Sequence, residues 1–132
     1  MKSNIFCTKF KVRDYECDMQ NHVNNSVYLN YLEHARHEYL DHIGLNFKKL
    51  NEHGIKFVAI RIELDYKKSL VSGDEFFVET KLVKDSKLKY CFEQVIRKNV
   101  DHVLDGKTFA VTINSKNKPA IFEEIDSALS ML

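Results

Sequence analysis

Residues 26–43 read SVYLNYLEHARHEYLDHI, and this stretch decides the fold because its apolar residues recur at helical spacing. Steps of three and four residues place them in one apolar stripe along a helix. The stripe consists of Tyr28, Leu32, Ala35, Tyr39 and Ile43. Asn24, Asn25 and Ser26 are all plausible N-caps, since their side chains can accept from free backbone N–H groups. Gly44 fits as the C-terminal stop, so the sequence predicts one long helix early in the chain.

Apolar and polar residues alternate on both sides of this helix. A period of two residues is typical of half-buried β-strands. One alternating run, residues 5–12, precedes the helix, and four more follow Gly54. The later runs cover residues 60–66, 76–82, 88–93 and 108–113.

The connections between the later strands are short, which predicts antiparallel pairing. Ser72-Gly73-Asp74 has the composition of a turn. Asp105-Gly106 predicts either a hairpin turn or a glycine bulge inside a strand.

The element order predicts an α+β fold in which one long helix packs against a five-stranded antiparallel sheet, in the order β-α-β-β-β-β. A short helix is also expected after Pro119, through Ile125 and Leu129. One helix can cover only one face of such a sheet. Phenylalanines fall on both faces of the strands, at Phe76, Phe77, Phe92 and Phe109. Such apolar surface predicts that a second subunit covers part of the sheet.

Length and composition narrow the class of protein. A chain of 132 residues with 44% apolar residues fits a single domain spanning residues 1–132. The net charge of +1 argues against nucleic acid as a partner. Neither an apolar signal core nor a run of roughly 20 apolar residues is present, so no membrane insertion is expected. Cysteine occurs at three positions without CxxC spacing, which favours free thiols and a cytoplasmic location.

Polar residues are dense between residues 13 and 28, directly before the predicted helix and at its start. A helix N-terminus offers unpaired N–H groups and a partial positive charge, which can stabilise an oxyanion. Asp14, Glu16 and Asp18 are candidates for a carboxylate facing that positive end. The alternative is a polar loop with an ordinary N-cap, which is common in proteins.

Residues 18–25, DMQNHVNN, followed by Tyr28, resemble the signature of the 4-hydroxybenzoyl-CoA thioesterase-like branch of the hotdog-fold superfamily. Supporting matches are EHAR at residues 33–36, Asp65-Tyr66 and Gly73-Asp74. The chain departs from the family pattern at Asn21, where glycine is usual, and at Ser69, where proline is common. Asparagine tolerates the left-handed backbone, so the first departure is mild.

The resemblance implies an acyl-CoA thioesterase that needs no cofactor. Asp18 would be the catalytic carboxylate, as general base or as nucleophile, and the backbone N–H near Asn25 would supply the oxyanion donor. Lys67 and Lys68 would contact the coenzyme A phosphates, although charges at turns are usually only solvated. The remaining motif matches, which would order the loop or shape the acyl pocket, are His22, Asn24, Tyr28 and Glu33.

The resemblance also implies a homodimer or homotetramer, with acyl-CoA as the substrate and an acyl carrier protein as an alternative carrier. A non-catalytic acyl-binding or partner-binding hotdog protein is the alternative function, because fold does not fix function. A hydratase is a weaker option. His34, His37 and His42 lie on the helix without a metal-binding motif, and a solvated face is the simpler interpretation. Cys17 adjoins Asp18 but would point the opposite way on extended chain.

Overall fold

One antiparallel sheet wraps around one long helix in the computed structural model, which describes residues 4–132. The helices are α1 (Asn25–His42), α2 (Phe47–Glu52) and α3 (Glu123–Ser130). The strands are β1 (Phe6–Lys11), β2 (Lys56–Tyr66), β3 (Glu75–Lys84), β4 (Lys89–Lys98) and β5 (Asp101–Ile113). The strand order is β1-β3-β4-β5-β2, and every pairing is antiparallel. This architecture confirms the predicted α+β hotdog fold.

Helix α1 begins and ends with the signals that the sequence carries. The Asn24 side chain accepts a hydrogen bond from the Ser26 N–H at 3.2 Å, so Asn24 is the N-cap. Gly44 follows the last turn with a φ of 85°, a left-handed conformation that glycine adopts without strain. Four members of the predicted apolar stripe are buried and Ile43 is half-buried, which confirms the stripe.

The middle of helix α1 packs against the sheet above Gly106 of β5. A Cβ atom at position 106 would lie 3.3 Å from Leu32 Cδ1 and 3.1 Å from Leu64 Cδ2. The Gln94 side chain donates a hydrogen bond to the Leu32 carbonyl oxygen at 3.0 Å, and the same amide bonds the Thr80 hydroxyl. Small and polar residues of the inner sheet face therefore let the helix backbone approach the sheet.

Two expectations about local structure were wrong or incomplete. Asp105-Gly106 forms neither a turn nor a bulge, because β5 runs through both residues in regular register. The hairpin turn lies at Asn99 and Val100, where Asn99 has a φ of 56°. Helix α2 was not predicted, although Asn46 caps it by accepting from the Lys49 N–H.

A bulge in β2 changes which residues face the helix. The register with β5 shifts between Ala59 and Arg61, so Ile60 is the extra residue. Beyond the bulge, Ile62 lies opposite Thr108, which is buried on the helix side of β5. Directly opposed residues share a face of the sheet, so Ile62 also faces the helix side, yet it is 44% exposed.

The sequence predicted exposed phenylalanines on both faces of the sheet, and the structure exposes them on one face only. Phe76 and Phe92 are buried in the core beneath α1. Phe77 is 42% exposed and Phe109 is half-buried on the other face of the sheet. Between residues 107 and 113 of β5, the buried residues are Thr108, Ala110 and Thr112.

Strand β2 forms one edge of the sheet and exposes several large apolar side chains. It pairs with β5 on one side and has no neighbouring strand on the other within residues 4–132. Val58, Ile60, Ile62 and Tyr66 are all exposed along it. An exposed apolar edge of this length is a template for pairing with another strand. None of the helices in the described chain combines the length and the apolar character needed to cross a bilayer.

Helix α3, predicted after Pro119, is anchored to the sheet by Asp126. Its carboxylate accepts hydrogen bonds from Lys84 Nζ at 2.8 Å and from the Tyr90 hydroxyl at 2.5 Å. Burial favours the neutral carboxyl, but these two donors outweigh it and hold the pKa of Asp126 below its usual value.

We expect Asp126→Asn to lower the free energy of unfolding by about 1 kcal/mol at neutral pH, a value reduced for partial solvent exposure. Because the pKa of Asp126 is lower in the folded state, its stabilisation is present above about pH 4 and is lost as the pH falls through the folded pKa. Urea unfolding over this pH range measures the difference. Asp85→Asn, which removes a more exposed carboxylate 3.9 Å from Lys89, is the control, and an equal loss in both variants would contradict the assignment.

Candidate active site

Asp18 lies in a tight loop that is closed by its own side chain. One carboxylate oxygen accepts hydrogen bonds from the Gln20 N–H at 2.9 Å and from the His22 N–H at 3.1 Å. The Asp18 N–H in turn donates to the His22 carbonyl at 2.8 Å. Asn21 has a φ of 61°, which explains why asparagine can replace the usual glycine there. The loop holds the exposed Asp18 carboxylate in one orientation.

The three candidate carboxylates of this loop have different surroundings. Glu16 is buried and accepts hydrogen bonds from the Tyr31 hydroxyl and from the Arg13 N–H, both at 2.8 Å. Asp14 accepts from the Ser72 hydroxyl. Each of the three carboxylates has one oxygen without a hydrogen-bond donor within residues 4–132: Oδ2 of Asp18, Oδ2 of Asp14 and Oε2 of Glu16, which lies 3.9 Å from Arg13 Nη1. Glu16 ties the loop to Tyr31 in the core and Asp14 ties it to Ser72 in a neighbouring turn. The exposed Asp18 carboxylate bonds only N–H groups of its own loop.

The loop leads directly into the N-terminus of α1. A bridge between Cys17 and Val23 narrows the loop, and the Asn24 N–H donates to the Glu16 carbonyl at 3.0 Å. The Asn25 N–H has no acceptor in the described chain, as expected for the first residue of a helix. The loop that carries Asp18 is therefore hydrogen-bonded to Asn24, the residue that caps the 18-residue helix.

The other predicted site residues divide into structural and exposed positions. Tyr28 is 2% exposed, and its hydroxyl accepts a hydrogen bond from the Leu70 N–H at 3.0 Å. The Asn24 side chain caps the helix by accepting from Ser26. His22 is exposed and contributes its backbone to the loop. A direct substrate contact for these residues stays a prediction.

Lys67 and Lys68 follow the end of β2, next to the start of α1. Tyr66 links the two regions, since its hydroxyl donates to the Asn25 carbonyl at 3.2 Å. Lys67 Nζ lies 3.6 Å from Asp105, and Lys68 Nζ lies 3.2 Å from Asp101. A phosphate would compete with these carboxylates, so contact with coenzyme A also stays a prediction.

Glu33 lies away from this loop, on the wall of an apolar cavity of about 400 Å³ between α1, α2 and the sheet. We call it the α1–α2 cavity. Its lining includes Arg36, Leu40, Phe47, Leu50, Phe57 and Phe92. A second cavity, of about 540 Å³, lies on the charged face of the sheet. A third, of about 800 Å³, lies between β1 and α1. Asp18 lines none of the three. In a single chain, the candidate catalytic carboxylate is therefore separate from the apolar cavity.

Sequence reasoning missed this cavity as a whole. The sequence singled out Arg36 only within the EHAR match and Phe92 only as a strand residue, and it did not single out Phe57. One local pattern could have pointed to the cavity: Arg36 follows the predicted pocket residue Glu33 by three positions, which places both side chains on one face of α1. The sheet residues that complete the cavity come from strands far along the chain, so no local pattern identified them.

The three histidines of α1 do not converge. His34 lies 3.4 Å from Glu38, His37 contacts the ring of Phe47 and His42 stacks on Phe6. Within residues 4–132, no group of three or more His, Cys, Asp or Glu side chains is arranged to hold a metal ion.

All three cysteines are free thiols. Partial burial and the charge of the adjacent Asp18 raise the pKa of the Cys17 thiol. A raised pKa lowers the thiolate fraction, which makes Cys17 a poor nucleophile.

The model of the family described as the thioesterase-like superfamily matches residues 12–129. An acyl-acyl carrier protein thioesterase from the chloroplast of Arabidopsis thaliana is 37% identical over 113 residues, which cover 84% of this chain and 60% of that protein. This chain thus spans about 60% of that relative's length. A long-chain acyl-CoA thioesterase of Escherichia coli is 31% identical over 116 residues, covering 86% of this chain and 87% of the relative.

Solved structures share the same architecture. The crystal structure of a hypothetical protein from Aquifex aeolicus superimposes with a TM-score of 0.88 and 28% identity. The match covers 94% of this chain and 98% of the other.

We expect Tyr28→Phe to lower the free energy of unfolding by about 1 to 2 kcal/mol, because it leaves the buried Leu70 N–H without an acceptor. Tyr66→Phe is the matched control, since it removes an exposed hydroxyl and should cost less than about 0.5 kcal/mol. Urea unfolding of both variants measures the difference. An unchanged stability of Tyr28→Phe would argue against a structural role for this hydroxyl.

Proposed function

Because the chain belongs to the thioesterase-like superfamily, we propose that residues 1–132 form a single hotdog thioesterase domain that hydrolyses an acyl thioester to a free acid and a thiol. One observation carries the proposal: the exposed Asp18 carboxylate is fixed by two backbone N–H groups in the loop that leads directly into the open N-terminus of α1. A carboxylate and a set of free N–H donors are the two groups that acyl transfer to water requires.

The two groups act on opposite ends of the reacting carbonyl. The Asn25 N–H and the positive end of α1 stabilise the negative charge that develops on the carbonyl oxygen. Asp18 either takes a proton from the attacking water or attacks the thioester carbon itself. In the first route the C–S bond breaks, and the leaving thiolate takes the proton that Asp18 removed from water. In the second route the C–S bond breaks to leave a mixed anhydride on Asp18, the thiolate takes a proton from solvent, and water hydrolyses the anhydride to the free acid and the Asp18 carboxylate. In both routes the free oxygen of Asp18 does the chemistry while its other oxygen stays bonded to the loop.

A second copy of the chain would complete the site through the free edge of β2. A two-fold axis would pair β2 with its copy in antiparallel orientation. The Lys56 end of one strand would then lie beside the Tyr66 end of the other. The Lys56 end lines the α1–α2 cavity, and Tyr66 contacts Asn25 at the start of α1. The acyl cavity of one subunit would thus adjoin Asp18 of the other.

A homotetramer would require a further contact between two such dimers. The outer face of the sheet offers Phe77, which is 42% exposed, and the half-buried Phe109 for this purpose. The homodimer is the part of the assembly that the site itself requires.

The substrate is an acyl-CoA or an acyl group on an acyl carrier protein. Both carriers are supported by relatives whose names specify them. Lys67 and Lys68 are candidates for the coenzyme A phosphates once these displace Asp105 and Asp101. The cytoplasmic location suggested by the cysteines stays a prediction.

We expect Asp18→Asn to lower kcat at least about a hundredfold while the fold is retained. The amide oxygen can still accept from Gln20 and His22, so the loop keeps its shape, but the side chain can no longer act as base or nucleophile. Release of free thiol from acyl-CoAs of several lengths measures turnover, and circular dichroism checks the fold.

Asp41→Asn serves as the control, because it removes an exposed carboxylate at the far end of the same helix. Turnover of Asp18→Asn close to that of the wild type would refute the assignment of Asp18. Tight binding of acyl-CoA without hydrolysis by the wild type would favour the non-catalytic acyl-binding function instead.

We expect Ile62→Glu to convert the dimer to a monomer and to abolish hydrolysis, since it places a charge at the proposed interface. Size exclusion with light scattering should give twice the 15.5 kDa of one chain, or a larger multiple, for the wild type. Val100→Glu, at an 89% exposed turn position, is the control and should keep the wild-type mass. A fully active wild-type monomer would rule out the shared site.

A further inference from the structure

Arg36 has an unusual environment for an arginine. The chain has four arginines, and three of them lie within 4.0 Å of a carboxylate, at Glu16, Glu79 or Glu63. Arg36 has no such partner in the described residues. It is nevertheless only partly exposed, in the middle of α1. A charge that is partly withdrawn from water with no carboxylate at ion-pair distance, and with only the more distant charge of Glu33 to favour it, calls for a reason.

The guanidinium of Arg36 has donors to spare. Its Nη1 atom donates to Gln94 Oε1 at 3.2 Å and to Thr108 Oγ1 at 3.3 Å. The group also lies 5.9 Å from the centre of the Phe92 ring. Nε and Nη2 have no acceptor within residues 4–132. A guanidinium carries five N–H donors, so three of them are free.

These free donors belong to a side chain that lines the α1–α2 cavity. Most of the other lining residues are apolar. The cavity of about 400 Å³ falls in the roughly 300–1,000 Å³ range typical of small-molecule sites. Burial lowers the pKa of Arg36, but a guanidinium remains charged in proteins.

Water can solvate the free donors while the cavity is empty. A plain hydrocarbon chain would displace that water and leave the donors unpaired, which is costly for a charged group. A ligand oxygen at the same place would pair with them. On this reasoning the cavity would favour acyl groups that carry an oxygen at this place over plain hydrocarbon chains.

Glu33 indicates which oxygen fits. It is exposed, lines the same cavity and makes no ion pair or side-chain hydrogen bond in the described chain. It lies three residues before Arg36, on the same face of α1. A hydroxyl can accept from Arg36 and donate to Glu33 at once. In a dicarboxylic acyl chain, the free carboxylate at the end remote from the thioester would be repelled by Glu33.

We propose that Arg36 is a specificity-determining residue that selects acyl chains bearing a hydroxyl group, with Glu33 as its partner on the cavity wall. The inference rests on the proposed thioesterase function and identifies the substrate class within it. Arg36 does not touch the thioester; it binds the acyl chain away from the reacting carbon.

The test compares decanoyl-CoA with hydroxydecanoyl-CoAs whose hydroxyl is placed at successive carbons, and with the matching dicarboxylic thioester. We expect the wild type to have a kcat/KM at least about tenfold higher for the best hydroxylated chain than for the plain chain. Arg36→Met should remove this preference. A merely structural arginine would lower kcat/KM for every chain by the same factor and leave the ratio unchanged.

Three further variants test whether the change in preference comes from the side-chain chemistry and not from a loss of folding. Arg36→Lys keeps the charge with a single donor group, and it should retain part of the preference. Glu33→Gln should improve the dicarboxylic thioester relative to the others. Glu38→Gln, on the same helix but away from the cavity, should leave the ratio unchanged; Glu38 pairs with His34 instead.

Measurements of substrate binding test the role of Arg36 independently of whether the protein hydrolyses thioesters. Calorimetry with Asp18→Asn measures the affinity for the same thioesters without turnover. Hydrolysis of all chains with equal kcat/KM would overturn the role of Arg36 and leave the thioesterase function standing. Absence of any hydrolysis by the wild type would refute that function, and the ratio of dissociation constants would then decide the role of Arg36: equal affinities overturn it, and a tenfold preference supports it.

Discussion

The contact between α1 and the middle of the sheet determines the rest of the structure. Gln94 donates to the Leu32 carbonyl, and Gly106 leaves room for the Leu32 side chain. A side chain at position 106 would crowd the ends of Leu32 and Leu64, which would have to shift to make room. Because the helix is held at this distance, its N-terminus lies against the loop of Asp18. Its C-terminal half, together with α2, borders the apolar cavity.

The hydrogen bonds between α1 and its surroundings form a network that distinguishes polar groups with a structural role from polar groups that remain free to bind a ligand. Glu16 and Gln94 are buried, and each is bonded to partners on α1, Tyr31 in one case and Leu32 and Arg36 in the other. Satisfied buried polar groups of this kind specify one arrangement of the core. Asp18 and the remaining donors of Arg36 are what this network leaves over.

Much of the fold could be predicted because its signals are local. The period of α1, its cap at Asn24 and the alternation along β3 each depend on neighbours in sequence. Gly106 was misread because its reason is a contact with Leu32, 74 positions earlier in the chain by the residue numbers. Within the site, the family resemblance singled out Asp18, but composition alone could not separate it from Glu16. That distinction depends on Tyr31, whose hydroxyl reaches Glu16 only in the folded chain.

The open edge of β2 has a consequence for how the protein is made. A newly synthesised chain exposes Ile60, Ile62 and unpaired backbone groups before any other copy reaches it. Such an edge attracts foreign strands as readily as its own kind. The bulge at Ile60 distorts the free edge of β2, and the charges of Arg61 and Glu63 interrupt its row of exposed apolar side chains. These features act as gatekeepers in a crowded cell, and refolding at high concentration would depend on them.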